Sequence, residues 1–161
     1  MRAAAAGLAF RPVVDADTPF LFRLYASTRA DEVAPLPWSD ADKAAFLDMQ
    51  ARAQHSHYSK HFADADWLLI ESGGNPAGRL YLHRREREHH IVDISLLPEH
   101  RGMGHGTALL RDLLDEVANA GKPMNIHVEK FNPAMRLYLR LGFVKVEDQG
   151  VYDLMRWTAP S

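Results

Sequence analysis

Residues 96–107 read Leu96-Leu97-Pro98-Glu99-His100-Arg101-Gly102-Met103-Gly104-His105-Gly106-Thr107, and their order decides the fold. The apolar run from Ile91 to Leu97 has the length and composition of a buried strand. It runs into a turn carrying Gly102, Gly104 and Gly106, and an amphipathic helical pattern from Thr107 to Ala120 follows. Such a turn is an anion cradle. Glycines let a ligand approach the backbone with no Cβ in the way, and the free N–H groups opening the helix carry partial positive charge suited to a pyrophosphate. Arg101 adds a full charge at the rim.

Two familiar phosphate loops do not fit. A P-loop needs Gly-Lys-Ser/Thr, and no lysine follows Gly106 to reach a terminal phosphate. A dinucleotide fingerprint needs glycines spaced G-x-G-x-x-G, whereas Thr107 stands where the third should be, although Glu129 does end the next strand.

Working outward from the turn, the downstream pattern predicts a strand over Met124–Val128, a helix over Pro133–Leu141 and strands over Phe143–Val146 and Tyr152–Trp157. Upstream, strands over Trp67–Glu71 and Gly78–His83 flank the hairpin signal Ser72-Gly73-Gly74-Asn75-Pro76. Leu8–Val14 reads as a first strand. Asp15 or Asp17 is placed to cap a helix with Pro19 in its first turn and Phe20, Leu21, Leu24 and Tyr25 on one face. Ser39 and Asp42 have capping-box character before a second helix through Phe46, Leu47 and Met49. The order is β-α-β around the glycine turn, in a chain with no repeat and no low-complexity linker, and the expectation is one domain over residues 1–161.

Composition sets outer limits. With 47% hydrophobic and 25% charged residues the chain has a soluble globular mixture and room for one real core. A formal net charge of −2 gives no long-range field for collecting nucleic acid or an anionic membrane. Arg84-Arg85-Glu86-Arg87-Glu88 mixes signs and reads as a solvated segment. No cysteine is present, which excludes disulfides, thiolate metal sites and cysteine nucleophiles and fits a reducing cytoplasm. The opening apolar run is short and stops at Arg11-Pro12, a poor signal peptide, and no stretch reaches the roughly 20 apolar residues of a membrane span.

Arg101-Gly102-Met103-Gly104-His105-Gly106 resembles the (Gln/Arg)-x-x-Gly-x-(Gly/Ala) signature with which the GNAT superfamily of N-acetyltransferases holds the coenzyme A pyrophosphate. Asn132-Pro133-Ala134-Met135-Arg136-Leu137-Tyr138-Leu139-Arg140-Leu141-Gly142-Phe143 is similar to that family's C-terminal helix, turn and strand. The resemblance covers the second half of the chain specifically and the first half as a compatible order of elements. It implies an α+β fold with α/β order in the second half: a mixed, mostly antiparallel sheet flanked by helices, whose fourth and fifth strands splay. It further implies acetyl-CoA as co-substrate, held by the backbone of Leu96 and Leu97, by Arg101 to Thr107 (Gly102, Met103, Gly104, His105 and Gly106 between them) and by Asn132, which also reads as a helix cap.

Acetyl transfer to an amine needs a neutral nucleophile, stabilisation of an oxyanion and a proton for the leaving thiolate. The resemblance makes Tyr138 the general acid and a free N–H near Leu96 or Leu97 the oxyanion donor. For the base, Glu88 and Asp93 bracket the fourth strand and Glu129 ends the fifth, with an ordered water as an alternative; Asp93 and Glu129 are the candidates carried forward. With no cysteine to carry the acetyl group, direct attack in a ternary complex is expected. His57 and His61 stand four apart and His89-His90 are adjacent, but no third ligand of zinc spacing accompanies them and no metal is expected. The acceptor reads only as a small-molecule or peptide amine, with no nucleic-acid or membrane partner and a homodimer as a possibility. Transfer of another acyl group, or a non-catalytic coenzyme A-binding module, remain the alternatives.

Overall fold

The computed structural model describes residues 2–160. Its elements run α1 (Arg2–Ala5), β1 (Leu8–Pro12), α2 (Thr18–Val33), α3 (Asp40–His61), β2 (Asp66–Ser72), β3 (Asn75–Arg84), β4 (His89–Leu96), α4 (His105–Asn119), β5 (Met124–Glu129), α5 (Met135–Leu141), β6 (Val144–Gln149) and β7 (Tyr152–Trp157). The seven strands form one sheet in the order β1-β2-β3-β4-β5-β7-β6, and every neighbouring pair is antiparallel except β4 with β5. This is the mixed, mostly antiparallel sheet that the family resemblance implies.

The alternation of side chains along the strands gives the sheet two different faces. On one, Leu109, Leu110, Leu113, Leu114 and Val117 of α4 pack on Ile70, Leu80, Leu82, Ile91, Met124, Ile126, Val128 and Met155. On the other, Phe20, Leu21 and Leu24 of α2 close over Leu69 and Leu97. The five residues of α4 recur at three- and four-residue spacing, so the helix has one apolar stripe and is fixed about its long axis. Its start, where the glycine turn lies, is thereby aimed at the end of β4. Its middle also holds the beginning of the chain: the buried carboxylate of Asp112 accepts from the N–H groups of Arg2 (3.0 Å) and Ala3 (2.9 Å).

Several boundaries differ from the sequence reading, each for a local reason. The helix expected from Pro133 begins at Met135, because Asn132 Oδ1 accepts from the Ala134 N–H (2.8 Å) in a tight turn that precedes the first helical bond. Neither Asp15 nor Asp17 caps α2. They form a 3-10 turn in which the Asp17 carboxylate reaches back to the Val14 N–H (2.8 Å) and takes a two-pronged bond from Arg11 (2.7 and 2.9 Å). Ser39 does cap α3, its hydroxyl accepting from the Asp42 N–H at 3.1 Å. The hairpin turn tightens to Gly73-Gly74, both at positive φ (59° and 84°), where a side chain would be strained. The first strand stops at Pro12, short of Val14, and the last hairpin shifts so that Phe143 is buried ahead of β6 while Val144 and Val146 are exposed.

Candidate active site

The defining geometry is a gap between β4 and β5. The two strands share only three register pairs, His89 with Met124, His90 with Asn125 and Ile91 with Ile126, and then part. The remaining β5-facing edge of β4, from Val92 to Leu96, has no strand beside it. Antiparallel pairing alternates which backbone groups face the neighbour. The Leu97 N–H is used, donating to the Ala77 carbonyl at 2.8 Å. The N–H groups of Ile94 and Leu96, out of phase with it, therefore face the gap. Of the two residues whose backbone the resemblance implicates, Leu96 does face the gap, whereas Leu97 turns its N–H to Ala77 and buries its side chain among Phe20, Leu21 and Leu24.

The glycine turn closes the C-terminal end of that gap. Gly102 and Gly104 have positive φ (74° and 79°), and no atom lies within 4 Å of where a Cβ would stand on either. Gly104 precedes α4 with no side-chain cap, so the N–H groups of His105, Gly106 and Thr107 face outward at the positive end of a 15-residue helix. A bare rim of backbone donors, open where side chains would intrude, fits a pyrophosphate. Arg101 folds back so that its Nε donates to the Leu96 carbonyl at 2.9 Å, putting the guanidinium at the mouth of the gap. Met103 is exposed, whereas the His105 ring is buried and lies against His100, centroids 6.5 Å apart. His105 thus presents its backbone, not its ring, to the cradle.

Tyr138 projects from α5 and is 5% exposed, its ring set edge-on against Phe143. Burial, with a lesser contribution from the charge of Asp93, raises its hydroxyl above the usual tyrosine range, so it stays protonated at neutral pH. Asn132 is exposed and held by its turn bond to Ala134.

The candidate bases both prove to be ion-paired. Asp93 Oδ2 accepts from Arg79 (2.8 Å) and from the Tyr58 hydroxyl of α3 (3.1 Å), and Oδ1 accepts from Ser95 (2.7 Å). The Arg79–Asp93 pair is almost dry, with side chains 5% and 11% exposed. Arg79 also donates to Gln54 (2.6 Å), yet its Nε, like the neighbouring Tyr81 hydroxyl, is buried without a partner. Glu129 takes a two-pronged bond from Arg29 of α2 (2.5 and 3.1 Å), which holds its carboxyl below the ordinary range. Sequence reasoning missed Arg29, Tyr58 and Arg79, whose roles depend on contacts across 100, 35 and 14 positions of chain.

Among the described residues no group of three or more histidine or acidic side chains could hold a metal ion, and no helix is long and apolar enough to cross a membrane.

The model of the Acetyltransferase (GNAT) family matches residues 23–143, from within α2 to the end of α5 and Phe143. Solved structures share the whole fold at low identity. PaiA N-acetyltransferase from Thermoplasma acidophilum, in complex with coenzyme A, is 15% identical, with 94% of this chain and 99% of that one covered at a TM-score of 0.70. Spermidine N-acetyltransferase from Vibrio cholerae, in complex with CoA and spermine, is 22% identical over 93% of each chain at 0.59. Ribosomal-protein-S18-alanine N-acetyltransferase from Escherichia coli is 19% identical over 92% of this chain and 90% of that one at 0.60. No match is found among curated protein sequences. A family match across three-quarters of the sequence, on a splayed sheet with a glycine cradle at its mouth, means that this chain belongs to the GNAT family of acetyltransferases.

Proposed function

We propose that the protein transfers an acetyl group from acetyl-CoA to an amine in a ternary complex. The observation that carries this reading is the unpartnered edge of β4 opening directly onto the uncapped start of α4. An extended amide-bearing arm fits the edge as an added strand would, while a pyrophosphate fits the helix start. Acetyl-CoA supplies the activated thioester; the chain's residues hold it, orient the amine and manage protons. The cradle donors are the backbone from Gly102 to Thr107 with Arg101 beside them, and Asn132 is assigned as a further coenzyme contact from the family resemblance. Ile94 and Leu96 offer N–H groups in the gap where a developing oxyanion would need them.

Tyr138, buried and protonated, is assigned as the donor for the departing thiolate on the strength of the family resemblance. A thiol of ordinary pKa near 8.5 leaves without much help, so this hydroxyl accelerates the step and is not indispensable. Asp93 and Glu129 lie on the acceptor side of the sheet, reached by α3 and α2. Each already neutralises an arginine, an arrangement that supports orienting the amine better than accepting its proton. The acceptor is a small-molecule or peptide amine. Spermine, seen with the Vibrio relative, and an alanine-led peptide, suggested by the Escherichia relative's activity, are natural first probes.

Calorimetry of acetyl-CoA binding to wild type and to Gly104→Glu tests the site. The glutamate puts both a side chain and a negative charge into the cradle, so binding should be seen in the wild type and lost in the variant. Absence of binding to the wild type would overturn the reading. Thiol release from acetyl-CoA in the presence of each amine then tests transfer.

A further inference from the structure

We propose that the cleft beside Glu129 takes the apolar body of the acceptor, and that the preferred acceptor is a small primary amine carried on an aromatic or branched aliphatic group. The inference rests on the transferase reading above. The cleft has a volume of about 410 Å³ and is lined by Glu129, Lys130, Phe131, Gly150 and Val151. Phe131 is 97% exposed and Val151 70%, and neither belongs to an apolar cluster of the core. Two apolar side chains that give the fold nothing, on the walls of one cleft, suit a surface that a ligand covers.

The cleft shares Glu129 with the acceptor side of the reaction site. Beyond the last rung between β4 and β5, Ile91 with Ile126, three further residues bring β4 to Ile94 and β5 to Glu129. Val92 is an extra residue in β4, where the register shifts so that Tyr81 pairs with Asp93 and Leu82 with Ile91. Glu129 therefore stands level with Ile94 and Ser95, across the gap from the N–H groups assigned to the thioester carbonyl. The same bulge turns Asp93 to the α3 side that His90 already faces, Asp93 meeting Tyr58 and His90 meeting Phe62 just beyond α3.

Tyr152 joins the two places. It is the register partner of Glu129 on β7, and its hydroxyl lies 3.5 Å from Glu129 Oε1. Its charge also acts on the hydroxyl of Tyr58, which bonds Asp93. Asp93, Tyr58, Tyr152 and Glu129 thus border one space on the α2 and α3 side, and Val151 is the next residue outward from Tyr152. Phe131 follows Glu129 by two residues, at most about 7 Å along the chain, a distance that a ring on a spacer of about two carbons covers.

The charge around the cleft suits an ammonium group. Arg29 is shared by Glu129 and Glu32, and Lys130 by Asp148 and Asp153, so four carboxylates meet two cations. The surplus is negative. Lys130 also donates to the Gly150 carbonyl, which keeps its charge away from an incoming amine, and its N–H donates to the Val151 carbonyl at 3.1 Å. These bonds fix one wall to the other, and a preformed cleft loses little freedom on binding. A polyamine would answer the carboxylates and leave Phe131 and Val151 in water. An amine with an apolar body answers both.

The test is thiol release from acetyl-CoA with 2-phenylethylamine, 3-methylbutylamine, ethylamine and spermine, in wild type, Phe131→Ser, Val151→Ser and the double variant. Calorimetry of 2-phenylethylamine on protein saturated with coenzyme A reads the cleft independently of turnover. Both side chains are exposed, so the variants should keep the fold, which thermal melting checks. Wild type should favour 2-phenylethylamine over ethylamine by about 10- to 100-fold in kcat/KM, chiefly through KM, with 3-methylbutylamine between them and spermine below 2-phenylethylamine. Each single variant should lower the preference and the double variant remove it, at unchanged acetyl-CoA affinity. An active wild type that does not distinguish 2-phenylethylamine from ethylamine, or a preference that survives the double variant, overturns the subsite and leaves the transferase reading intact. A fall in acetyl-CoA affinity in the variants gives the cleft to the coenzyme, and a dimer that Phe131→Ser dissociates gives it to a second copy; either overturns the proposal. Binding of 2-phenylethylamine that depends on Phe131, with turnover of none of the four amines, upholds the subsite and overturns transfer to these amines.

Discussion

Gly78 lies on β3 directly opposite Leu96, the residue that turns its backbone into the gap. A methyl group built on Gly78 would collide with the Ser95 carbonyl oxygen, and would stand 2.9 Å from Leu96 Cδ2 and 3.1 Å from Leu96 Cα. Two of these obstacles are backbone, which cannot rotate away, so in Gly78→Ala the end of β4 must retreat by roughly 1 Å at a cost of about 1–3 kcal/mol. Leu96 moves with it. The loss of one backbone hydrogen bond to acetyl-CoA, about 0.5–1.5 kcal/mol, corresponds to roughly 2- to 13-fold weaker binding. Misplacement of an oxyanion donor by roughly 1 Å can cost on the order of 10²-fold in rate. Calorimetry with acetyl-CoA and thiol release with spermine would read the two effects separately, with thermal melting to confirm the fold. A folded Gly78→Ala protein with wild-type affinity and rate would refute the placement of Leu96 at the reaction centre.

Four further outcomes are expected. Tyr138→Phe should slow thiol release by about 10²–10⁴-fold without abolishing it or changing acetyl-CoA affinity, and because burial raises this hydroxyl above 10.0, the wild-type rate should show no alkaline fall from it below that pH. Asp93→Asn should cost about 3–5 kcal/mol in denaturant unfolding, since it strands the buried Arg79; an Asn variant as stable as wild type but inactive would instead make Asp93 a chemical participant. Asp112→Ala should lower stability by about 0.5–2 kcal/mol by freeing the Arg2 and Ala3 N–H groups, and leave acetyl-CoA affinity unchanged in calorimetry. Glu129 and Asp17 are held below their ordinary values of 4.5 and 3.8, chiefly by Arg29 and Arg11. The stabilisation they give is complete above those values and is lost as pH falls through the depressed ones, so acid unfolding should begin below about pH 4.5, and at higher pH in Arg29→Met.

The parts of this molecule that could be read from its residues are those whose signal is local. The turn from Arg101 to Thr107 is marked by glycine spacing, and α4 by a 3.6-residue apolar stripe, so cradle and helix were legible together. The Asn132-Pro133 turn was legible as a helix start, though two residues early, because an asparagine that bonds the next N–H but one looks the same in sequence as a cap. The acceptor side was not legible. Asp93 stands out as a carboxylate near the strand's centre, but its partner Arg79 looks like any strand residue until the β3–β4 register is known. His89 and His90 look equivalent in sequence. A single bulge residue decides that His90, and not Ile91, shares a side with Asp93.

The parting of β4 from β5 also has a mechanical meaning. Strands β1–β4 and β5–β7 are two plates joined along a seam three rungs long, at its narrow end. The N–H groups beside the seam should exchange with solvent sooner than those buried within either plate, such as at Leu80 or Met155. A coenzyme lying along the open length would bridge plate to plate like a splint. Its affinity would then appear as resistance to heat, about 2.7 kcal/mol at a concentration one hundred times its dissociation constant. The seam with the fewest rungs is thus the line along which the sheet itself is held least, and a coenzyme filling it would add to the clasp that α4 already makes across both plates.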